Sequence, residues 1–250
     1  MPNVEAVDEG REPDTGTYDY NMFSFMHQKL NTIQEPFLTF MFTSTNHSDF
    51  HLPSAKFERY PHDLKNYYGY LNSLIYVDNA IERFIEGVKK EPWFDNTIFI
   101  FTSDHGSGNA LGNIAKDLRP DDKIVSNIES YRIPLIIYAP KIFKPKEIDI
   151  LGSQNDIKPT IIDLLGFENS FSSMGNSLFD ESSKNRFVYT FGGDQIGLIT
   201  EDCYIMFNYK DTTNSSCKDE LKTKLEKELK AIDSFESYLL DKNRWLNIKE

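Results

Sequence analysis

The stretch Asn96-Thr-Ile-Phe-Ile-Phe-Thr-Ser-Asp-His-Gly106 decides the fold class that we infer for the whole chain. Residues 97–101 form a short, uncharged run of β-branched and aromatic residues, which is typical of a strand buried on both faces. The run leads into Asp104 and His105, and open α/β sheets hold their ligands at the carboxyl ends of such strands. A carboxylate and an imidazole also suit a divalent transition metal. The same residues equally fit a plain turn, so both interpretations stay open at this point.

A second apolar run, at residues 37–43, is also predicted to be a buried strand. It leads into a polar loop that contains Asn46 and His47. Between the two runs, residues 63–90 carry the broad apolar face of a long amphipathic helix, which is the kind of crossover that parallel strands require. We therefore expect the two strands to be parallel neighbours, so that His47 and Asp104 emerge on the same rim of the sheet.

The remaining patterns complete the prediction of an α/β fold. They indicate a helix at 20–33, a third strand at 132–140 and a helix at 153–165. Three short strands at hairpin spacing and a charged amphipathic helix follow, at 187–191, 196–200, 204–209 and 218–240. The predicted fold class is thus α/β, with a mostly parallel central sheet that has helices on both faces, and a small antiparallel C-terminal sheet with a terminal helix.

The predicted organisation has three parts. An irregular segment without hydrophobic periodicity comes first, and the α/β domain follows it. The antiparallel sheet and the terminal helix are expected to pack on that same domain. The corresponding boundaries are 1–17, 18–170 and 171–250.

Composition argues against several classes of function. The formal net charge of −12 is unlike a nucleic-acid-binding surface, because such surfaces carry clustered basic residues. No stretch approaches the roughly 20 apolar residues that span a bilayer. The polar, acidic start of the chain does not have the pattern of a signal peptide, so we expect a soluble chain. Cys203 and Cys217 are close enough in sequence to form a disulfide in an oxidising compartment, but the sequence favours two free thiols.

Five short stretches form an ordered set of motifs. They are Tyr18-Asp-Tyr-Asn-Met-Phe23, Thr43-Ser-Thr-Asn-His-Ser-Asp-Phe50, Tyr76-Val-Asp-Asn-Ala-Ile-Glu-Arg-Phe-Ile85, Asp95-Asn-Thr-Ile-Phe-Ile-Phe-Thr-Ser-Asp-His-Gly106, and Arg132-Ile-Pro-Leu-Ile-Ile-Tyr-Ala-Pro140 with Asp156-Ile-Lys-Pro-Thr-Ile-Ile-Asp-Leu-Leu-Gly166. In this order and spacing the set resembles the sulfatase branch of the alkaline phosphatase superfamily, and most closely phosphoglycerol transferases of the lipoteichoic-acid-synthase type. The resemblance implies an alkaline-phosphatase-like fold, of which we expect this chain to hold only the C-terminal part.

The resemblance implies roles for two residue pairs. Asp104 and His105 match metal ligands of the family. The imidazole favours manganese over calcium, which prefers oxygen ligands, and manganese is also expected in preference to zinc. Asn46 and His47 match the loop whose histidine contacts the phosphoryl or sulfuryl group of the substrate. The implied partner is therefore an anionic phosphate or sulfate ester.

Several positions depart from the family pattern. The nucleophile and the first acidic metal ligand have no counterpart in this chain, so we predict no catalytic residue. Ser107 stands where the family commonly has Glu, Asp49 stands where Pro is common, and the later histidine of some branches is missing. His51 and His62 match no motif, and we expect them at the surface.

The function implied by the resemblance is metal-dependent. The chain would be part of a phosphoglycerol or phosphoethanolamine transferase, or of a sulfuric or phosphoric ester hydrolase. The alternative is an inactive fragment or remnant that keeps the fold and a partial metal site, completed by a partner chain with the missing N-terminal half. Full-length transferases of this type are membrane-anchored with the catalytic domain outside the cytoplasm, so the resemblance implies an extracytoplasmic or periplasmic location for a full-length parent.

Overall fold

The computed structural model describes residues 17–106, 131–168, 171–180, 182–183, 185–192 and 194–242. The chain forms two compact units that divide between Pro145 and Lys146. The sequence-based boundary at residue 170 stays a prediction, and residues 1–16 of the predicted irregular segment lie outside the described residues. Within the described part of the chain, no helix is both long enough and apolar enough to cross a bilayer.

Two helices, α1 (Asp19–Leu30) and α2 (Tyr67–Val88), pack against each other in the first unit. Both confirm helices that the hydrophobic periodicity predicts. The start of α2 is fixed by Asn66, whose side-chain oxygen accepts hydrogen bonds from two backbone N–H groups of the first turn at 2.9 and 3.2 Å. The cap satisfies donors that an α-helix otherwise leaves without an intrahelical partner.

An aromatic core surrounds Trp93 in the first unit. The indole is 5% exposed, and its Nε1–H donates to Asn31 Oδ1 over 2.8 Å, so the polar atom of this buried ring is satisfied. The ring centroid lies 5.9 Å from that of Phe37 and 6.4 Å from that of Phe99. Each large apolar side chain buried in this way contributes about 1.5–3 kcal/mol. The other buried members of the core are Tyr18, Phe23, Leu30, Leu52, Phe57, Tyr76, Ala80, Phe84, Val88 and Phe94.

The strand predicted at residues 97–101 forms, but its residues are half-buried or exposed and are not buried on both faces. It is β1 (Phe99–Thr102), and it pairs with β2 (Leu135–Tyr138), which confirms the third predicted strand. The pair is antiparallel, with Phe99 opposite Tyr138, whereas the sequence predicts mostly parallel order. An apolar run of residues does not reveal whether its strand pairs in the parallel or the antiparallel direction. Strand direction follows from the connection between the strands, and most of that connection lies outside the described residues.

The predicted buried strand at residues 37–43 differs more strongly from the structure. Among the described residues, the segment pairs with no strand. Phe37 and Met41 pack against the aromatic core. The side chains of Leu38, Phe40 and Phe42 alternate with these positions and are 84, 85 and 58% exposed. The segment thus has the two-residue periodicity of a strand, but it lacks the ladder and the cross-strand contacts that stabilise one.

The second unit contains two helices and an antiparallel sheet. The helices are α3 (Ile157–Leu164) and α4 (Asp219–Asp241), and the strands are β3 (Phe187–Gly192), β4 (Gln195–Thr200), β5 (Tyr204–Phe207) and β6 (Thr212–Ser215), adjacent in chain order. Leu225 and Leu229 of α4 are buried against apolar residues of the sheet. The small C-terminal sheet and the terminal helix are therefore confirmed. The polar strand β6 is an addition that its sequence does not predict.

The start of α3 is built around a buried carboxylate, Asp156. Its Oδ2 accepts a hydrogen bond from Ser153 N at 2.7 Å, and its Oδ1 accepts one from Asn176 N at 2.8 Å. The buried guanidinium of Arg186 lies 3.7 Å away, which compensates the carboxylate charge in the low-dielectric interior. The helix is followed by Gly166 at φ +67°, a C-terminal signal that the sequence correctly indicates.

A disulfide joins Cys203, just before β5, to Cys217, just after β6. The two Cα atoms are 5.1 Å apart, within the range that a disulfide requires. The expectation of free thiols is therefore wrong. Sequence spacing alone could not reveal the bond, because the pairing of β5 with β6 is what brings the two cysteines together.

A hydrogen bond between side chains connects α1 to the segment after α2. His27 is 6% exposed, and its Nε2 lies 2.6 Å from Glu91 Oε1. This hydrogen bond, with a smaller contribution from Asn31, holds the pKa of Glu91 below its usual value of 4.5. A carboxyl group whose pKa is lowered in the folded state stabilises the fold above its ordinary pKa, and that contribution is lost as the pH falls through the lowered value.

Replacing Glu91 by Gln should therefore lower the free energy of unfolding at pH 7. The difference from the wild type should shrink as the pH falls below 4.5, because protonation of Glu91 removes the same interaction. Urea unfolding followed by circular dichroism between pH 7 and pH 3 measures this difference. Glu86→Gln is the control, since Glu86 is an exposed partner of Lys89 on the helix surface. A difference of constant size at every pH would contradict the assignment.

The disulfide closes a loop with a sequence separation of 14 residues. A loop of this length is expected to contribute about 3 kcal/mol to the free energy of unfolding. The double variant Cys203→Ser/Cys217→Ser should lose that amount, and dithiothreitol should bring the wild type to the same stability. Denaturant unfolding of both proteins with and without reductant makes the comparison. Equal stability of the oxidised wild type and the double variant would refute the contribution.

Candidate functional site

The loop that carries Asn46 and His47 is attached to the beginning of α1. Asp19 there is completely buried, and its Oδ1 accepts hydrogen bonds from Ser44 N at 3.1 Å and from Thr45 N at 2.9 Å. The loop then turns, and His47 N donates to Ser44 O at 2.9 Å. The backbone ahead of His47 is therefore fixed by a group from a distant part of the sequence.

His47 itself faces solvent. Its Nδ1 lies 2.5 Å from the backbone carbonyl oxygen of Ser48. A carbonyl oxygen can only accept a hydrogen bond, so Nδ1 carries the proton and the neutral ring keeps its lone pair on Nε2. Asn46 is half-buried beside it. The loop thus presents an imidazole edge and an amide to solvent, and both groups can bind an anionic oxygen when the ring is protonated.

Asp104 and His105 follow β1 directly, where the sequence predicts them. Both side chains are largely exposed, at 51 and 73%. His105 N donates to Asp104 Oδ1 at 3.0 Å, which orients the carboxylate. His105 Nδ1 lies 2.7 Å from the Gly106 carbonyl oxygen, so this ring also carries its proton on Nδ1. The second nitrogen, Nε2, lies 3.7 Å from Asp104 Oδ2.

The chemistry of this pair fits two ligands of one divalent cation. A carboxylate oxygen and a neutral imidazole Nε2, with Nδ1–H held by a carbonyl, form the usual arrangement around a transition metal. Two ligands of one ion at about 2.1 Å lie roughly 3.0–3.4 Å apart, close to the separation found here. Among the described residues, no group of three or more His, Cys, Asp or Glu side chains could hold a metal. The two residues could therefore hold a metal only as part of a larger set of ligands.

The two predicted pairs originate from one part of the core. Phe37 begins the segment that leads to His47, and Phe99 begins β1, which leads to Asp104; both rings contact Trp93. The prediction that His47 and Asp104 share a rim stays a prediction, because residues 37–43 do not join the described sheet.

His51 and His62 lie outside this arrangement. Both are half-buried, which is somewhat more than the surface positions that we expect from the sequence. His62 Nδ1 lies 3.4 Å from the amide nitrogen of buried Asn72. The backbone N–H of His51 donates to Asp49 O at 2.8 Å.

The part played by Asp19 is not evident from the sequence. Asp19 belongs to the first of the ordered motifs, and an acidic residue in the first turn is expected at any helix N-terminus. The contact between Asp19 and Thr45 spans 26 positions, so local patterns carry no signal for it. The motif at residues 18–23 thus supports the loop that carries Asn46 and His47.

Comparison with known proteins gives the family and the fold. Residues 2–167 match the family model described as Sulfatase. Lipoteichoic acid synthase-like YvgJ from Bacillus subtilis is 26% identical over 234 residues, a match that covers 83% of this chain and 37% of YvgJ. The chain thus spans little more than a third of the length of this curated relative.

Two solved structures resemble the chain over almost its whole length. A protein in the alkaline phosphatase superfamily from Vibrio parahaemolyticus has a TM-score of 0.73 at 21% identity, and the match covers 94% of this chain and 58% of that one. The lipoteichoic acid synthase LtaP from Listeria monocytogenes has a TM-score of 0.66 at 23% identity, with 96% and 63% covered. These similarities confirm the alkaline-phosphatase-like α/β fold class. The match to the family model and to YvgJ confirms the predicted resemblance.

Proposed function

Because the chain belongs to the sulfatase family, we propose that it supplies the metal- and anion-binding side of a site that transfers or hydrolyses phosphate or sulfate esters. The observation that carries this proposal is the arrangement of Asp104 and His105 after β1. Two different donor atoms, oriented by backbone groups, lie 3.7 Å apart on an exposed strand end. A plain turn requires neither the imidazole nor the fixed tautomer.

Manganese is the ion that we expect at this pair. One nitrogen ligand favours a transition metal over calcium, which prefers oxygen ligands throughout. A bound divalent ion would lower the pKa of a coordinated nucleophile and neutralise charge at the reacting centre. Asp104 would bind the ion through a negatively charged carboxylate oxygen, and His105 would bind it through the lone pair of a neutral imidazole nitrogen.

His47 and Asn46 are proposed to bind the anionic ester group. The loop is exposed, and the Nδ1–H of His47 is already used by the Ser48 carbonyl. A protonated His47 therefore directs its Nε2–H to solvent, where it can donate to a non-bridging oxygen or to a leaving group. The phosphoglycerol-type relatives favour phosphate esters, and the family description favours sulfate esters; the site chemistry serves either.

The disulfide supports an extracytoplasmic location. Structural disulfides form and persist in oxidising compartments and are rare in the cytoplasm. A protein built on the pattern of the lipoteichoic acid synthases would meet such conditions outside the cell membrane. The proposed extracytoplasmic location applies to the full-length parent protein.

Manganese should raise the Tm of the wild-type chain in a saturable manner, because a ligand that binds only the folded state stabilises it. At a free concentration of 100 times Kd the stabilisation is about 2.7 kcal/mol. Asp104→Asn/His105→Gln should remove the rise, and calcium should produce a smaller one. Differential scanning fluorimetry over micromolar to millimolar metal concentrations measures all three effects.

The matched control is Asp95→Asn, an exposed carboxylate before the same strand. It should keep the full manganese response. An equal rise of Tm in the Asp104→Asn/His105→Gln variant would show that manganese binds elsewhere and would overturn the assignment.

A second candidate function is a non-catalytic half that a partner polypeptide completes. The observation that favours it is the row formed by Leu38, Phe40 and Phe42. These are three large, exposed apolar side chains on one face of a segment that pairs with no strand among the described residues. Such a row adjoining an unpaired segment is typical of a surface that another polypeptide covers by adding a strand. The occupant we propose is the portion of a sulfatase domain that this chain does not match.

Aspartate at this row should abolish pairing with such a partner. Co-expression with the portions of YvgJ that this chain does not match should yield a complex with the wild-type chain and none with Leu38→Asp/Phe40→Asp. Phe25→Asp, at a residue of α1 that is 60% exposed, should still form it. Copurification and size-exclusion chromatography give the result. Complex formation by the Leu38→Asp/Phe40→Asp variant would contradict the proposal, as would phosphodiester or sulfate-ester turnover by the chain alone.

A further inference from the structure

Asp19 and Thr45 are locked together by reciprocal hydrogen bonds. Thr45 N and Thr45 Oγ1 both donate to Asp19 Oδ1, at 2.9 and 2.6 Å. In return, Asp19 N donates to Thr45 Oγ1 at 2.9 Å. With the Ser44 N–H, a single carboxylate oxygen therefore accepts three hydrogen bonds. Hydrogen bonds to an ionised group are the strong ones, and this set fixes the loop to the first turn of α1.

The linkage continues to His47 through one residue. Ser44 N donates to Asp19, and Ser44 O accepts from His47 N at 2.9 Å. Asp19 and the backbone of His47 are thus connected by two consecutive hydrogen bonds through Ser44. The path is short because Thr45, Asn46 and His47 are adjacent in sequence. A change at Asp19 therefore acts directly on the backbone of the loop that carries Asn46 and His47.

The residues around Asp19 bury its carboxylate completely. The phenol oxygen of Tyr76, on α2, accepts a hydrogen bond from Tyr20 N at 3.1 Å, one residue after Asp19. Burial, with an added contribution from the Asp19 charge, raises the pKa of Tyr76, so the phenol stays neutral. Asp19 Oδ2 is buried without a hydrogen-bond partner among the described residues. Most buried polar side-chain atoms in folded proteins have at least one hydrogen-bond partner, so this oxygen is an exception.

From this geometry we propose that Asp19 is the positioning residue of the anion-binding loop, acting on His47 through Ser44 and Thr45. The proposal rests on the anion-binding role proposed for His47. It adds a residue that lies 26 and 28 positions before Thr45 and His47 and that touches no substrate. Asp19 sets where the imidazole stands, and His47 makes the contact.

The experiment compares Asp19 with another completely buried residue whose side chain also accepts hydrogen bonds from a loop backbone. Asn72 is also completely buried, and its Oδ1 accepts from Arg59 N and Tyr60 N at 2.9 and 3.1 Å, so it holds a different loop. Asn72→Ala therefore reports a general loss of stability. Asp19→Ala should additionally release the His47 loop, and Asp19→Asn, which keeps one acceptor oxygen, should restore part of the wild-type behaviour.

Two measurements are made on each protein. The first is hydrogen exchange at the Thr45 and His47 amides, which should accelerate about tenfold or more in Asp19→Ala, relative to Asn72→Ala, when a charged hydrogen bond is lost. The second is the Kd for inorganic phosphate, from a titration of the His47 ring resonances. It should rise by a similar factor in Asp19→Ala and stay near the wild-type value in Asn72→Ala.

The outcomes separate this inference from the proposed function. Unchanged exchange at His47 and an unchanged Kd for phosphate in Asp19→Ala would overturn the positioning role. Faster exchange at His47 in a chain whose wild type does not bind phosphate would support the positioning of the loop and overturn the function proposed for it. If Asp19→Ala does not fold, Thr45→Val replaces it, because this variant keeps the shape of the side chain, loses the Oγ1 hydrogen bonds and should show the same two effects.

Discussion

The packing of aromatic rings around Trp93 is the interaction on which the first unit depends. The indole is satisfied by Asn31 just after α1, and its faces and edges contact Phe37 and Phe99. Helix α1 therefore ends beside this buried side chain, and the segment at residues 37–43 and strand β1 begin beside it. Without that common anchor, neither polar loop of the proposed site would have a defined origin, because loops take their positions from the rigid elements that they connect.

From this core outward, the proposed site is ordered mainly by the backbone. His47 and His105 each direct Nδ1 to the carbonyl of the following residue, so both neutral rings keep Nε2 for another partner. Such hydrogen bonds fix the tautomer as well as the ring orientation. A buried carboxylate, Asp19, supports the first loop, and the end of β1 supports the second. The imidazoles of His47 and His105 are thus oriented by the backbone while both remain exposed to solvent.

Sequence reasoning located the elements that depend on local periodicity. The apolar stripes of α1 and α2, the alternation in the second-unit strands and the uncharged run of β1 are properties of neighbouring residues, and each predicts its element to within a few positions. Features that depend on distant partners were not accessible in this way. The antiparallel direction of β1 and β2, the disulfide and the contact of Asp19 with Thr45 all join residues far apart in the chain. Residues 37–43 have a strand's pattern, but a strand also requires a neighbour, and a pattern cannot supply one.

The central claim is that Asp104 and His105 bind one divalent cation together. The most direct measurement is a crystal structure of the chain grown with manganese, with anomalous diffraction recorded to locate the ion. One anomalous peak is expected within about 2.0–2.3 Å of an Asp104 carboxylate oxygen and of His105 Nε2. A manganese peak coordinated by other residues, with His105 Nε2 bound to solvent only, would contradict the claim.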